Sequence, residues 1–158
     1  GPKAGARWGG VFGICSGVVN TFTPGLTAFA ISPFISTTGL SGAVKALWVA
    51  LGCRILLGVV AGWLWIALKK VRVSDWLALP VTGFVCTILH TLMVMGSIFF
   101  LFTQQYAQAR NVAMEAVSGL ILATVTGNGI PEALLAMVLV TAIGKALLRV
   151  NRVRTLPA

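Results

Sequence analysis

Long runs of hydrocarbon that end in lysines and arginines leave this chain few ways to fold. About Gly42 to Leu68, about Trp76 to Phe102 and Pro131 to about Leu148 are nearly free of charge. The first of these closes on Lys69-Lys70-Val71-Arg72, and the last is followed by Arg149, Arg152 and Arg154. A further apolar segment, from about Lys3 to Val19, opens the sequence. Runs of this kind approach or exceed the ~20 residues that carry an α-helix across a bilayer. Hydrophobic residues make up 58% of the 158 and charged residues 9%, more apolar surface than a soluble domain of this size can hide. The chain therefore reads as an all-α membrane protein, a single transmembrane domain over residues 1–158 with four spans.

Charge gives the spans a direction. The net charge of +9 does not point to nucleic acid, because the basic residues sit at the ends of apolar runs. Between the third and fourth spans, Val112 to Thr126 is an apolar piece of 15 residues, short of a crossing. If it does not cross, Lys3, Arg7, Lys69, Lys70, Arg72, Lys145, Arg149, Arg152 and Arg154 share one side, nine of the twelve basic residues. Lys45 and Arg110 take the other side, and Arg54 falls within a span. That asymmetry is the pattern of cytoplasmic loops. It places the C-terminus in the cytoplasm and makes 112–126 a non-spanning or half-inserted helix on the outer side. Trp8, Trp63, Trp65 and Trp76 near the basic side and Trp48 near the other suit interfacial belts. The three cysteines, Cys15, Cys53 and Cys86, have no metal or disulfide spacing and read as small buried hydrophobes.

Two segments between these landmarks have their own character. Gly5, Gly9, Gly13 and Gly17 recur every fourth residue, so a neighbouring helix can approach that face closely, within this subunit or from another. Asn20 to Ser41 is an uncharged loop rich in Thr, Ser, Pro and Gly, the length of a lid or binding loop. The abrupt start at Gly1-Pro2-Lys3, without an initiator Met, suggests that one or more helices precede it, or that Gly-Pro is a protease-tag scar.

Polar residues inside apolar helices mark the candidate site. Arg54, about twelve residues into its span, requires an acidic partner, backbone carbonyls or an anionic ligand. Glu132, one of three acids in the chain, is the acid placed to meet it. Thr87, His90 and Thr91 share one face of the third span by their spacing. They form either a substrate contact or an interhelical hydrogen-bonding stripe. Asn128 and Gly129 lead into Pro131, which suits a helix start, with Glu132 in its positive first turn. Glu132 is then either a dipole-stabilising residue or an acceptor at the mouth of a cavity. No nucleophile triad, metal cluster or G-x-x-x-x-G-K-[ST] motif appears, so any ATPase must be another polypeptide.

Four blocks in this order carry a family resemblance: Gly1-Pro2-Lys3-Ala4-Gly5-Ala6, Ser32-Pro33-Phe34-Ile35-Ser36, Arg54-Ile55-Leu56-Leu57-Gly58 and Asn128-Gly129-Ile130-Pro131-Glu132-Ala133. Together they resemble the substrate-binding S component of an energy-coupling factor (ECF) vitamin transporter. The pantothenate type is the most similar, with folate and cobalamin types as competitors. The resemblance implies a six-helix bundle, of which the first two helices would precede Gly1. It implies no cofactor. It also implies a vitamin captured from outside, a transmembrane coupling subunit and two cytoplasmic ATPases in a bacterial cell membrane, with the S component toppling to deliver its ligand. His90-Thr91 stands where family members often carry Asn-Thr. On this reading Arg54 meets the pantothenate carboxylate, while Asn128 and Thr87 or Thr91 serve its hydroxyls and amide. A membrane enzyme using His90, Glu132 and Arg54, or a structural subunit held by its glycine face with no cavity between the spans, are the alternatives.

Overall fold

The computed structural model describes residues 1–25, 27–35 and 39–154. Every element among them is helical. The order is α1 (Pro2–Phe22), α2 (Gly39–Leu47), α3 (Cys53–Lys70), α4 (Asp75–Arg110), α5 (Val117–Thr124) and α6 (Ile130–Arg154). A wide π turn at Trp48–Gly52 joins α2 to α3, and another at Val125–Gly129 joins α5 to α6. The result is three rods long and apolar enough to cross a membrane: Gly39–Lys70, Asp75–Arg110 and Met114–Val150. Their 32, 36 and 37 residues correspond to about 48, 54 and 56 Å, well beyond a ~30 Å hydrocarbon layer. α1 is shorter, at 21 residues, and carries Lys3 and Arg7.

Local chemistry sets the ends of these rods. α1 takes Pro2 in its first turn, where the missing N–H costs nothing. Asp75 occupies the positive first turn of α4, and Lys69 and Lys70 the negative last turn of α3. Asn111 stops α4 in a left-handed conformation (φ 52°), which Asn tolerates better than most residues. Within α4 the backbone leaves helical values at Phe102 (φ −135°, ψ 25°). The Thr103 hydroxyl bonds back to the Phe99 carbonyl there, a bond that commonly bends helices.

The helices stand in a row, α1 against α3, α3 against α4 and α4 against α6, with α1 and α6 at opposite ends. The α1–α3 contact is backbone on backbone. A Cβ at Gly5 would lie 1.9 Å from the Gly58 carbonyl oxygen, one at Gly9 2.2 Å from that of Arg54 and one at Gly13 2.6 Å from that of Ala50. The glycine ladder therefore serves packing within the subunit. Gly17 is the exception, with open space beside it. Cys53 and Ser97 link α3 to α4 through a 3.6 Å contact between Sγ and Oγ.

The row has a basic end and a loop end, and the buried core gathers at the loop end. Ala46, Val49 and Ala50 meet Ile98, Phe102, Tyr106 and Ala107 of α4 and Val117 of α5. The loop packs onto this cluster through a short 3-10 turn at Ala28–Ala30, which buries Ala28, Ala30, Ile31 and Ser32. Phe29 meets Phe102 edge to face with centroids 5.8 Å apart. Thr21 and Ser32 share a 2.6 Å hydrogen bond that ties the loop to the end of α1. Toward the basic end the rods are mostly bare. Of the most apolar stretch of Met114–Val150, 6% is buried inside the molecule.

Three expectations need correction. The 112–126 piece is not a separate helix. From Met114 it runs through the π turn into α6 as one rod. Asn128-Gly129-Ile130-Pro131 accordingly does not open a helix. Pro131 lacks the N–H that would bond the Gly127 carbonyl, and the widened turn accommodates its ring without ending the helix. Cys15 is exposed, whereas Cys53 and Cys86 are buried as expected.

Candidate functional site

Arg54 sits in the first turn of α3, just past the π turn, and is 6% exposed. A π turn shifts hydrogen bonds from i−4 to i−5 and leaves carbonyls short of donors. The Cys53 N–H, for instance, reaches back to Trp48 O. The Arg54 guanidinium supplies what the turn lacks. Its Nη1 donates to the carbonyls of Val49 (3.1 Å) and Ala50 (3.2 Å). Its Nη2 donates to Ser16 Oγ on α1 at 2.8 Å. The Phe12 ring lies beneath it, 5.1 Å from the guanidinium carbon, a cation–π distance. Arg54 thus satisfies its charge with carbonyls, a hydroxyl and a ring. Its Nε is buried without a partner among the described residues.

The Phe12 ring also neighbours His90. The two ring centroids are 6.4 Å apart with planes tilted by 52°, so Phe12 bridges α3 and α4. His90 Nε2 is also buried without a hydrogen-bond partner among the described residues. Thr87, about a turn before His90, and Thr91, the next residue, bond back into α4, to Gly83 O (2.9 Å) and Thr87 O (3.1 Å). Their hydroxyl protons are therefore used, and their oxygens remain as acceptors. Thr91 also abuts α6, since a Cβ at Gly129 would lie 3.2 Å from its methyl carbon.

Asn128 and Glu132 follow a different course. Gly129 and Ala133 turn inward and are buried, which leaves Asn128 and Glu132 exposed one turn apart. Neither makes a hydrogen bond or ion pair among the described residues, so the expected acidic partner of Arg54 is not Glu132. The fold brings Arg54 and His90 together around Phe12 and sets Thr91 against the α6 wall, while Asn128 and Glu132 stand apart.

Two cavities flank this polar centre. One, of about 440 Å³, runs along the α1–α3 groove and is lined by Trp8, Phe12, Arg54, Trp65 and Cys86 among small residues. The other, of about 430 Å³, lies under the loop between α1 and α2, with Thr21, Phe22, Pro33, Phe34 and Leu47 around it. Both fall in the size range of small-molecule sites. No group of three or more His, Cys, Asp or Glu among the described residues could hold a metal.

Sequence reasoning missed Phe12 and Ser16, and named backbone carbonyls as partners without saying which. Phe12 and Ser16 are four residues apart on one face of α1, beside the glycine ladder. That spacing was the available signal.

Among known proteins, no curated protein and no solved structure matches the chain. Its residues 4–144 match the model of the ECF transporter substrate-specific component, and the chain belongs to that family.

Proposed function

We infer that this subunit captures pantothenate from outside a bacterial cell and delivers it to an ECF coupling subunit driven by two cytoplasmic ATPases. The observation that carries this reading is Arg54, buried within an apolar helix, lining a cavity of about 440 Å³ and retaining one unpartnered donor. A buried guanidinium with a free N–H favours a carboxylate, because charge-assisted bonds are the strongest available to it. Pantothenate carries its carboxylate at one end and hydroxyls and an amide along the rest. His90 Nε2 and the oxygens of Thr87 and Thr91 are the polar atoms next along α4 for those groups. Asn128 in the π turn and Glu132 on α6, both exposed, form a separate contact that the ligand meets before it reaches Arg54. The loop packed over the far end of the row acts as the lid, and the subunit topples in the membrane to release its ligand.

The test is a thermal-shift screen of the purified full-length protein in detergent against a panel of B vitamins. Stabilisation grows as RT ln(1 + [L]/Kd), so a tight ligand stands out. Pantothenate should give the largest rise in melting temperature. A larger rise with folate or cobalamin, or none with any vitamin, would overturn the assignment.

A further inference from the structure

At the basic end, between the start of α4 and the last turns of α6, Asp75, Trp76, Lys145, Leu148 and Arg149 line a pocket of about 200 Å³. It lies about 21 Å along α4 from His90, so it is separate from the site above. The Lys145 ammonium sits 3.9 Å from the centre of the Trp76 ring, a close cation–π contact. Arg149 follows Lys145 at i+4, on the same face of α6, and is exposed. The acid on the wall, Asp75, is already bridged by Lys69 at 2.7 Å. Lys70 and Arg72 stand in the adjoining turn. Cations therefore outnumber acids at this pocket, and the field there is positive.

The surface on the membrane side of the pocket is of the opposite kind. Leu77 on α4, and Val138 and Leu134, which follow Lys145 down the same face of α6 at i−7 and i−11, are each about half exposed or more, with Trp76 above them. Cations above an exposed apolar face, with an indole between, match a phospholipid. The phosphate meets the cations, the interfacial zone suits tryptophan and the acyl chains lie along hydrocarbon side chains. A free phosphate would use the cations and leave the apolar face bare.

We propose that this pocket holds the phosphate of an anionic phospholipid, with Lys145 and Arg149 as its ligands and the acyl chains on the Leu77, Val138 and Leu134 surface. The test is native mass spectrometry of the full-length protein in detergent, titrated with phosphatidylglycerol, with phosphatidylcholine, or with inorganic phosphate. Selective retention of phosphatidylglycerol is expected. Each cation near a membrane surface contributes enough that Arg149→Gln should weaken retention about fivefold and Lys145→Gln with Arg149→Gln about 30-fold. Lys45→Gln, the same charge change at the loop end, should leave retention unchanged. If the double variant does not fold, Arg149→Gln alone decides. Retention unchanged in the Arg149→Gln variant, or equal retention of both lipids, overturns the site. Phosphate that displaces phosphatidylglycerol at equal concentration overturns the lipid assignment in favour of a free anion.

Discussion

At the scale of single residues, Arg54 organises the middle of the molecule. An unpaired charge at mid-membrane is costly, by about 3 kcal/mol on insertion scales. The sequence alone says that Arg54 needs partners and offers Glu132 as the acid. The structure supplies two carbonyls, one hydroxyl and one aromatic ring instead. That solution is not legible from the sequence, because a π turn adds one residue to a helix without any composition of its own. Backbone carbonyls were among the partners the sequence allowed, but not which ones. Ser16 is the part of the arrangement that can be removed most cleanly. Ser16→Ala loses one charge-assisted bond and should lower stability by about 1 kcal/mol. Thermal melts in detergent check this, and a variant as stable as wild type would mean that Ser16 only fills space. Phe12, beside both Arg54 and His90, ties α1 to α3 and to α4.

At the scale of elements, backbone contact and helix irregularities decide the packing. The ladder on α1 was legible as a close-approach face, and its partner is now α3 of the same chain. Gly5→Ala and Gly9→Ala would push a methyl group into a carbonyl oxygen that has no rotamer to move. Each should destabilise by about 3 kcal/mol, the upper end for overpacking. Gly17→Ala meets open space and should stay within about 0.5 kcal/mol of wild type. Melting the three variants side by side checks the contrast, and three equal melts would contradict it. The joined α5–α6 rod shows the opposite limit of sequence reading. Gly127, Gly129 and Pro131 read as a break, and in isolation they would be one. Here the turn widens, and Gly129 packs on Thr91, so tertiary contact keeps the helix continuous.

At the scale of the whole molecule, the basic end and the apolar stretches were legible from composition and charge alone, but not the joining of 112–126 to α6. α1, α3, α4 and α6 form an open row with its buried core at the loop end. As a member of its family the chain is a transporter subunit, not an enzyme. Joining 112–126 to α6 adds no crossing, so the charge partition read from the sequence survives the correction. The basic end is therefore expected in the cytoplasm and the loop end outside. In a cysteine-free background, Asn111→Cys should react with an impermeant maleimide on intact cells, and Ser74→Cys only after permeabilisation. The reverse pattern would invert the topology.

The most direct measurement is a calorimetric titration of pantothenate, and of its alcohol analogue in which CH2OH replaces the carboxylate, into wild type and Arg54→Gln. If Arg54 holds the carboxylate, wild type should prefer the acid by at least ~30-fold, as expected for losing one partner of a buried charge pair. Arg54→Gln should erase that preference. An Arg54→Gln protein that binds pantothenate as tightly as wild type would contradict the account.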